Sequence, residues 1–94
     1  MPLTFEWDSR KAQSNLAKHD IGFEEASTIF ADRLSLTIPD PRHLRREERY
    51  VTMGRGFAGK LLVVVHTKRG NNIRIISARL ASRRERRFYE KVIE

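Results

Sequence analysis

The chain contains no cysteine. That excludes a disulfide framework and any thiolate metal site, and it fits a reducing compartment. Long apolar runs are missing too. The longest, Leu61-Leu62-Val63-Val64-Val65, falls far short of the roughly 20 residues a membrane span requires. The opening Met1-Pro2-Leu3-Thr4-Phe5-Glu6-Trp7-Asp8 has no charged segment followed by an apolar stretch, so no secretory signal is expected and the protein is expected in the cytoplasm. There is no repeat, linker or low-complexity tract. The histidines, His19, His43 and His66, are scattered and lack any paired ligand spacing, so no metal is expected. Gly54-Arg55-Gly56 is half a dinucleotide fingerprint without its strand–helix setting, so no cofactor is expected. Acidic charge is the minority: 12 Asp and Glu stand against 19 Lys and Arg, for a net charge of +7.

What remains fits one domain over residues 1–94. Hydrophobic residues make up 39% and charged ones 33%, enough apolar content to fold. The basic excess points to an anionic partner: nucleic acid, an acidic protein or an anionic membrane. Glu85, Glu90 and Glu94 interrupt the basic C-terminal segment and make it a poor membrane anchor.

Thr4-Phe5-Glu6-Trp7 alternates as a first strand. Asp8 is placed to cap a helix over Ser9 to Lys18, with Ala12 and Leu16 on its apolar face. A second helix is predicted over Phe23 to Ala31, with Glu24 and Glu25 at its positive end. Leu34, Leu36 and Ile38 then alternate as a strand, ended by Pro39-Asp40-Pro41. Arg42 to Arg46 reads as a basic loop. Strands follow at Arg49 to Met53, at the buried run Leu61 to Val65 and at Ile73 to Ala78. Gly54, Gly56 and Gly59 mark the first connection, and Arg69-Gly70-Asn71-Asn72 marks a hairpin turn. Ser82-Arg83-Arg84-Glu85 is a capping box for a last helix that runs toward Val92. The order gives an α+β domain with a largely antiparallel sheet, two N-terminal helices and one C-terminal helix.

The arginines fall in three groups: Arg42, Arg45, Arg46 and Arg49; Lys68, Arg69 and Arg74; Arg79, Arg83, Arg84, Arg86 and Arg87. The meander is expected to bring the latter two groups to a shared region, because Arg69 ends one strand and Arg79 the next. Guanidinium forks bind phosphate bidentately. A charge run by itself is more often a solvated face, but Arg69 and Arg79 flank apolar strands. His66 shares a face with Leu62 and Val64, so a packed structural histidine is favoured over an acid–base one. His19 suits a helix C-terminus, Tyr50 suits packing, and Trp7 suits a core or interface anchor.

Phe5-Glu6-Trp7-Asp8, Lys11-Ala12, Asn15, Lys18-His19, Phe23-Glu24-Glu25-Ala26, Asp32, Glu48-Arg49-Tyr50, Gly54, Ile73-Arg74-Ile75-Ile76-Ser77-Ala78-Arg79, Glu85-Arg86 and Tyr89-Glu90 form an ordered series that resembles the BrnT toxins. The chain has Asp20 where that family commonly has Gly, and Gly22 where it has Ser. Both are expected to be mild, since Asp tolerates the left-handed conformation and Gly serves as an N-cap. The resemblance implies a RelE-like fold and a type II toxin that cleaves RNA and inhibits translation. It implies a BrnA-type ribbon-helix-helix antitoxin as partner in a hetero-oligomer, with operator DNA reached only through that antitoxin. For a metal-independent endoribonuclease that uses the RNA 2′-OH, the expected phosphate clamp is Arg79 and Arg69, then Arg74. His66, Glu47 and Glu48 are candidate bases. Arg83 and Arg86, with Lys68 and Arg49, are the expected RNA-binding set. The alternative is a basic nucleic-acid-binding module or corepressor without catalysis.

Overall fold

The apolar run at Leu61 becomes the middle of a five-stranded sheet. The structure, a computed structural model, describes residues 3–42 and 48–93. Its elements are β1 (Thr4–Glu6), α1 (Ser9–His19), α2 (Phe23–Ser27), a 3₁₀ turn (Thr28–Ala31), β2 (Leu36–Pro39), β3 (Arg49–Arg55), β4 (Leu61–Arg69), β5 (Asn72–Leu80) and α3 (Arg83–Ile93). The strand order is β1-β5-β4-β3-β2. Strands β2 to β5 form an antiparallel meander, while β1 returns to pair in parallel with β5, Thr4 opposite Asn72 and Glu6 opposite Arg74. The fold is thus α+β with a largely antiparallel sheet. Among the described residues no helix is long and apolar enough to cross a membrane.

Alternation along β4 separates two faces. Leu62 and Val64 join Ile75 and Ala78 against Ile21, Phe23, Ala26 and Ile29 from the helical layer. Each of the Leu, Val, Ile and Phe side chains among them contributes on the order of 1.5–3 kcal/mol by leaving water. The opposite face carries Val63 and Val65, aligned with Met53 and Val51 on β3 and with Arg79 and Ser77 on β5. Helix α3 borders that second face, with Phe88 and Glu85 beside Leu36, Ile38 and Met53.

Local signals set the helix ends. Asp8 Oδ1 accepts from the Arg10 and Lys11 N–H groups at 2.8 and 3.2 Å. Asp20 closes α1 in the left-handed region at φ 59°, and Gly22 stands at the N-cap of α2. The second helix is shorter than its apolar pattern predicts. The Ser27 and Thr28 hydroxyls bond back to the Glu24 and Glu25 carbonyls at 2.7 and 2.6 Å, and the chain tightens into the 3₁₀ turn. Gly54 belongs to β3, not to the connection. A Cβ there would lie 3.1 Å from Ser35 Cβ and 3.2 Å from the Ile29 carbonyl oxygen. The turn itself uses Gly56 and Gly59, the latter at φ +87°.

Asn15 is the one buried residue of α1. Its Oδ1 accepts from the Ala78 N–H at 3.0 Å, and its Nδ2 donates to the Ala78 and Ile21 carbonyls at 2.8 and 3.0 Å. The side-chain amide therefore pairs with the edge of β5 as a neighbouring strand would. It also satisfies backbone groups that would be costly to bury alone.

Candidate active site

The face of the sheet opposite the two N-terminal helices holds a cleft of about 260 Å³. Val51, Val63 and Val65 form its floor, Ser77, Arg79 and Glu85 one side, and Ile38, Asp40 and Arg42 the other. The strands dictate this grouping. Arg79 pairs with Val63, and Val63 pairs with Met53, so the arginine rises from an apolar sheet where its field is less screened than in bulk water.

Arg79 is held by a fork-to-fork pair. Its Nη1 and Nη2 donate to Glu85 Oε1 and Oε2 at 2.8 and 2.9 Å, and Nη1 reaches the Leu80 carbonyl at 3.3 Å. Five N–H groups sit on a guanidinium. The Nε–H and the second Nη2–H, the side edge of the plane, have no acceptor among the described residues. That edge is a bidentate donor for a phosphate. Glu85 also accepts from the Ser82 N–H at 2.8 Å, while its own N–H donates to Ser82 Oγ at 3.1 Å, which completes the capping box of α3. The Arg79 hydrogen bonds, backed by those from Ser82, hold the Glu85 carboxyl at about 2, and the same pair raises Arg79.

Asp40 is the contribution that sequence reading missed. In sequence it is part of the Pro39-Asp40-Pro41 stop of a strand, and it is buried in the cleft wall at 8% exposure. Its Oδ1 accepts from the Arg42 N–H at 3.0 Å and lies 3.8 Å from Arg42 Nε. The Asp40 N–H donates to the Arg49 carbonyl at 2.9 Å, anchoring the chain just past β2. Its only sequence signal is the Pro-Asp-Pro stop itself.

The other predicted residues are dispersed. Arg69 and Arg79 do not share a region, a correction to the expected grouping. Arg69 enters the β4–β5 turn opposite Asn72, whereas Arg79 lies opposite Val63. Six residues of β4 separate those positions, about 20 Å at strand rise, because a hairpin puts the start of its turn and the end of its second strand at opposite ends. Arg74 donates from Nη1 to Glu6 Oε2 at 2.7 Å, and Asn72 Nδ2 donates to Glu6 Oε1 at 2.9 Å. These contacts tie β1 to β5 and lower the Glu6 pKa, Asn72 first and Arg74 second. Arg49 and Arg74 both lie opposite Thr67, at the far end of the cleft face. Lys68 is exposed opposite Ile73, and Arg83 and Arg86 are exposed on α3.

His66 is not brought to the cleft. It is buried, its Nε2 is 2.7 Å from Thr52 Oγ1, and its ring meets Phe30 edge-on at 4.9 Å and stacks on Tyr50 at 6.0 Å. Burial lowers its pKa to about 4, so it is neutral at physiological pH. Glu48 is exposed and accepts from the Tyr50 hydroxyl at 3.3 Å. Glu47, with Arg45 and Arg46, lies outside the described residues. Tyr89 packs inward and donates to Asp32 Oδ2 at 2.7 Å, with the Arg55 guanidinium 5.8 Å from its ring centre.

Over residues 7–85 the sequence matches the family described as the ribonuclease toxin BrnT of type II toxin–antitoxin systems. The fold is similar to the 1.1 Å crystal structure of the Brucella abortus ribonuclease toxin BrnT, with a TM-score of 0.63 and 22% sequence identity. That match covers 87% of this chain and 100% of the other. No curated protein matches the chain.

Proposed function

This chain belongs to the BrnT family of ribonuclease toxins of type II toxin–antitoxin systems, and from that premise we propose that it cleaves RNA in the Arg79 cleft. The observation that carries the assignment is the guanidinium of Arg79: two of its N–H groups remain without an acceptor among the described residues, beside an apolar floor, while Glu85 and the Leu80 carbonyl fix the rest of the plane. In this reading the RNA 2′-OH attacks the adjacent phosphorus. The bond to the 5′-oxygen breaks, a 2′,3′-cyclic phosphate forms, and the leaving oxygen takes a proton from water. Arg79 binds the non-bridging oxygens as charge builds on them. The proton of the 2′-OH passes to a carboxylate. Among the described residues Asp40 and Glu85 supply the two that line the cleft, and Glu85 is occupied by Arg79, which leaves Asp40. Arg42 neutralises charge beside it. No step calls on a metal ion.

Arg74 and Arg49 would meet the RNA backbone at the far end of the same face, and Arg83 and Arg86 would meet it from α3. Arg69 and Lys68 lie beyond, at the hairpin, where they would steer the approaching strand. His66 supports the sheet through Thr52. Cleavage of this kind would inhibit translation. The antitoxin partner is proposed to be a BrnA-type ribbon-helix-helix protein, which joins the toxin in a hetero-oligomer and alone contacts operator DNA. An acidic segment on it would compete with RNA for the +7 charge, and apolar anchors would fit the neighbouring groove of Leu36, Ile38, Met53 and Phe88.

The test is single-turnover cleavage of a defined RNA with EDTA present, using Arg79→Lys. Lysine keeps the charge but loses the fork. Loss of the bidentate contact is expected to cost about 2–4 kcal/mol in the transition state, a fall of roughly 30- to 1000-fold. Induced expression of the variant should no longer arrest growth. Cleavage within threefold of wild type would remove Arg79 from the mechanism. RNA binding without cleavage by the wild type would favour the non-catalytic module.

A further inference from the structure

We propose that the RNA path continues beyond the cleft onto α1, where Lys11, Lys18 and His19 form a second subsite for backbone phosphates, reached across Ser77. The inference rests on the ribonuclease reading and extends its substrate contacts. A separate cavity of about 170 Å³ lies between α1 and β5, lined by Lys11, Ser14, Asn15, Lys18, His19, Ile76 and Ser77. Ser77 also lines the Arg79 cleft, so the two cavities adjoin at one residue.

Three features make this more than a solvated helix face. The first is spacing. Lys11, Ser14 and Lys18 recur at three- and four-residue intervals and therefore stack along one side of α1.

The second is charge. The sequence of α1, Ser9 to His19, contains no acidic residue. Arg74, Arg79, Arg55 and Lys60 each lie within 4 Å of a carboxylate, but Lys11, Lys18 and His19 form no such pair among the described residues. Asp8 lies in electrostatic reach of Lys11, but its Oδ1 is committed to the first-turn N–H groups.

The third is the sheet edge. Strand β1 covers β5 only as far as Arg74, and Asn15 takes over at Ala78. Between them the β4–β5 register shifts, with Val65 opposite Ser77 and His66 opposite Ile75, which leaves Ile76 without a partner on β4. A bulge interrupts the ladder and re-aims its residues, here at the gap between the two cavities. The lining offers ammonium and hydroxyl donors and a single apolar side chain, Ile76. That is the chemistry of a phosphate-binding groove with no preference for base identity.

The test uses 2′-O-methyl RNA, which lacks the nucleophile and cannot be cut, as a trimer that fills only the cleft and as a decamer. Binding to the full chain is measured across salt for wild type and for the double variant Lys11→Gln/Lys18→Gln. Both lysines are exposed, so the fold should persist, and an unchanged melting temperature checks this. Loss of two phosphate contacts on a single strand should reduce the salt slope by about 1.4, a loss of decamer affinity of about 25-fold at 0.1 M salt. Trimer affinity should not change. Unchanged decamer affinity and slope would overturn the subsite, as would an equal loss for both lengths. A loss confined to binding of poly-glutamate would also overturn it and would assign the groove to an acidic protein segment. If wild type cleaves RNA while the double variant binds the decamer normally, only the subsite fails. If wild type neither cuts nor binds RNA, the ribonuclease reading fails with it.

Discussion

Replacing Glu85 by Gln should destabilise the protein in a pH-dependent way. Glu85 accepts from both terminal nitrogens of Arg79 and from the Ser82 N–H, and these contacts bring its pKa from the usual 4.5 to about 2. At 1.36 kcal/mol per pH unit, that depression corresponds to at most about 3 kcal/mol. The Arg79 side chain is 42% exposed and that of Glu85 31%, so solvent screening reduces the expected contribution to about 1–2 kcal/mol. The folded pKa is depressed, so the stabilisation is complete above pH 4.5 and is lost as pH falls toward 2. For a domain of this size the variant should melt about 4–15 °C below wild type at pH 7, and the gap should close progressively below pH 4.5. The assay is thermal or urea unfolding from pH 7 to pH 3. Ser82→Ala serves as a companion, with an expected loss of about 1 kcal/mol from the cap. A gap that stays constant across this range would show that Glu85 acts by packing instead of charge. No gap at pH 7 would refute the pair and the geometry assigned to Arg79.

Two further perturbations test the scaffold around the cleft. Asn15→Ala should cost about 2–4 kcal/mol, because Ala78 N–H and the Ala78 and Ile21 carbonyls lose their partner in a buried setting; a denaturation midpoint near wild type would contradict the strand-like role of the amide. Tyr89→Phe should cost about 1–2 kcal/mol by removing the donor to Asp32, while Asp32 keeps the Arg55 and Leu34 N–H groups. In wild type, burial first and the Asp32 contact second push the Tyr89 hydroxyl up to about 12, so an ultraviolet titration should lose a late phenolate step in the variant.

Some of this protein is written locally in its sequence. Asp8, the Ser82–Glu85 box, the alternation around Val51 and the continuous apolar run Leu61 to Val65 each act over a few residues, and each has the consequence its chemistry predicts. Asp20 in the left-handed region and the burial of His66, on the strand face of Leu62 and Val64, belong to the same class. The resemblance to the BrnT family was carried by residues spread over nearly the whole chain, and it implied the fold before any contact was known. Tertiary structure alone decided where the charges went. The meander, with Arg69 ending one strand and Arg79 the next, suggested that the two lie together, and the hairpin register sends them to opposite ends. Strand β1, returning in parallel, ties Arg74 to Glu6 at the far end of the cleft face, a contact that no local pattern around Arg74 shows. Asp40 read as part of a strand stop, and Ser77 as one position in a strand, until β2, β3, β4 and β5 aligned across one face. Caps and alternation depend on bonds between near neighbours. A cleft depends on cross-strand register, which is set by burial on the other side of the sheet and which no short window of sequence contains.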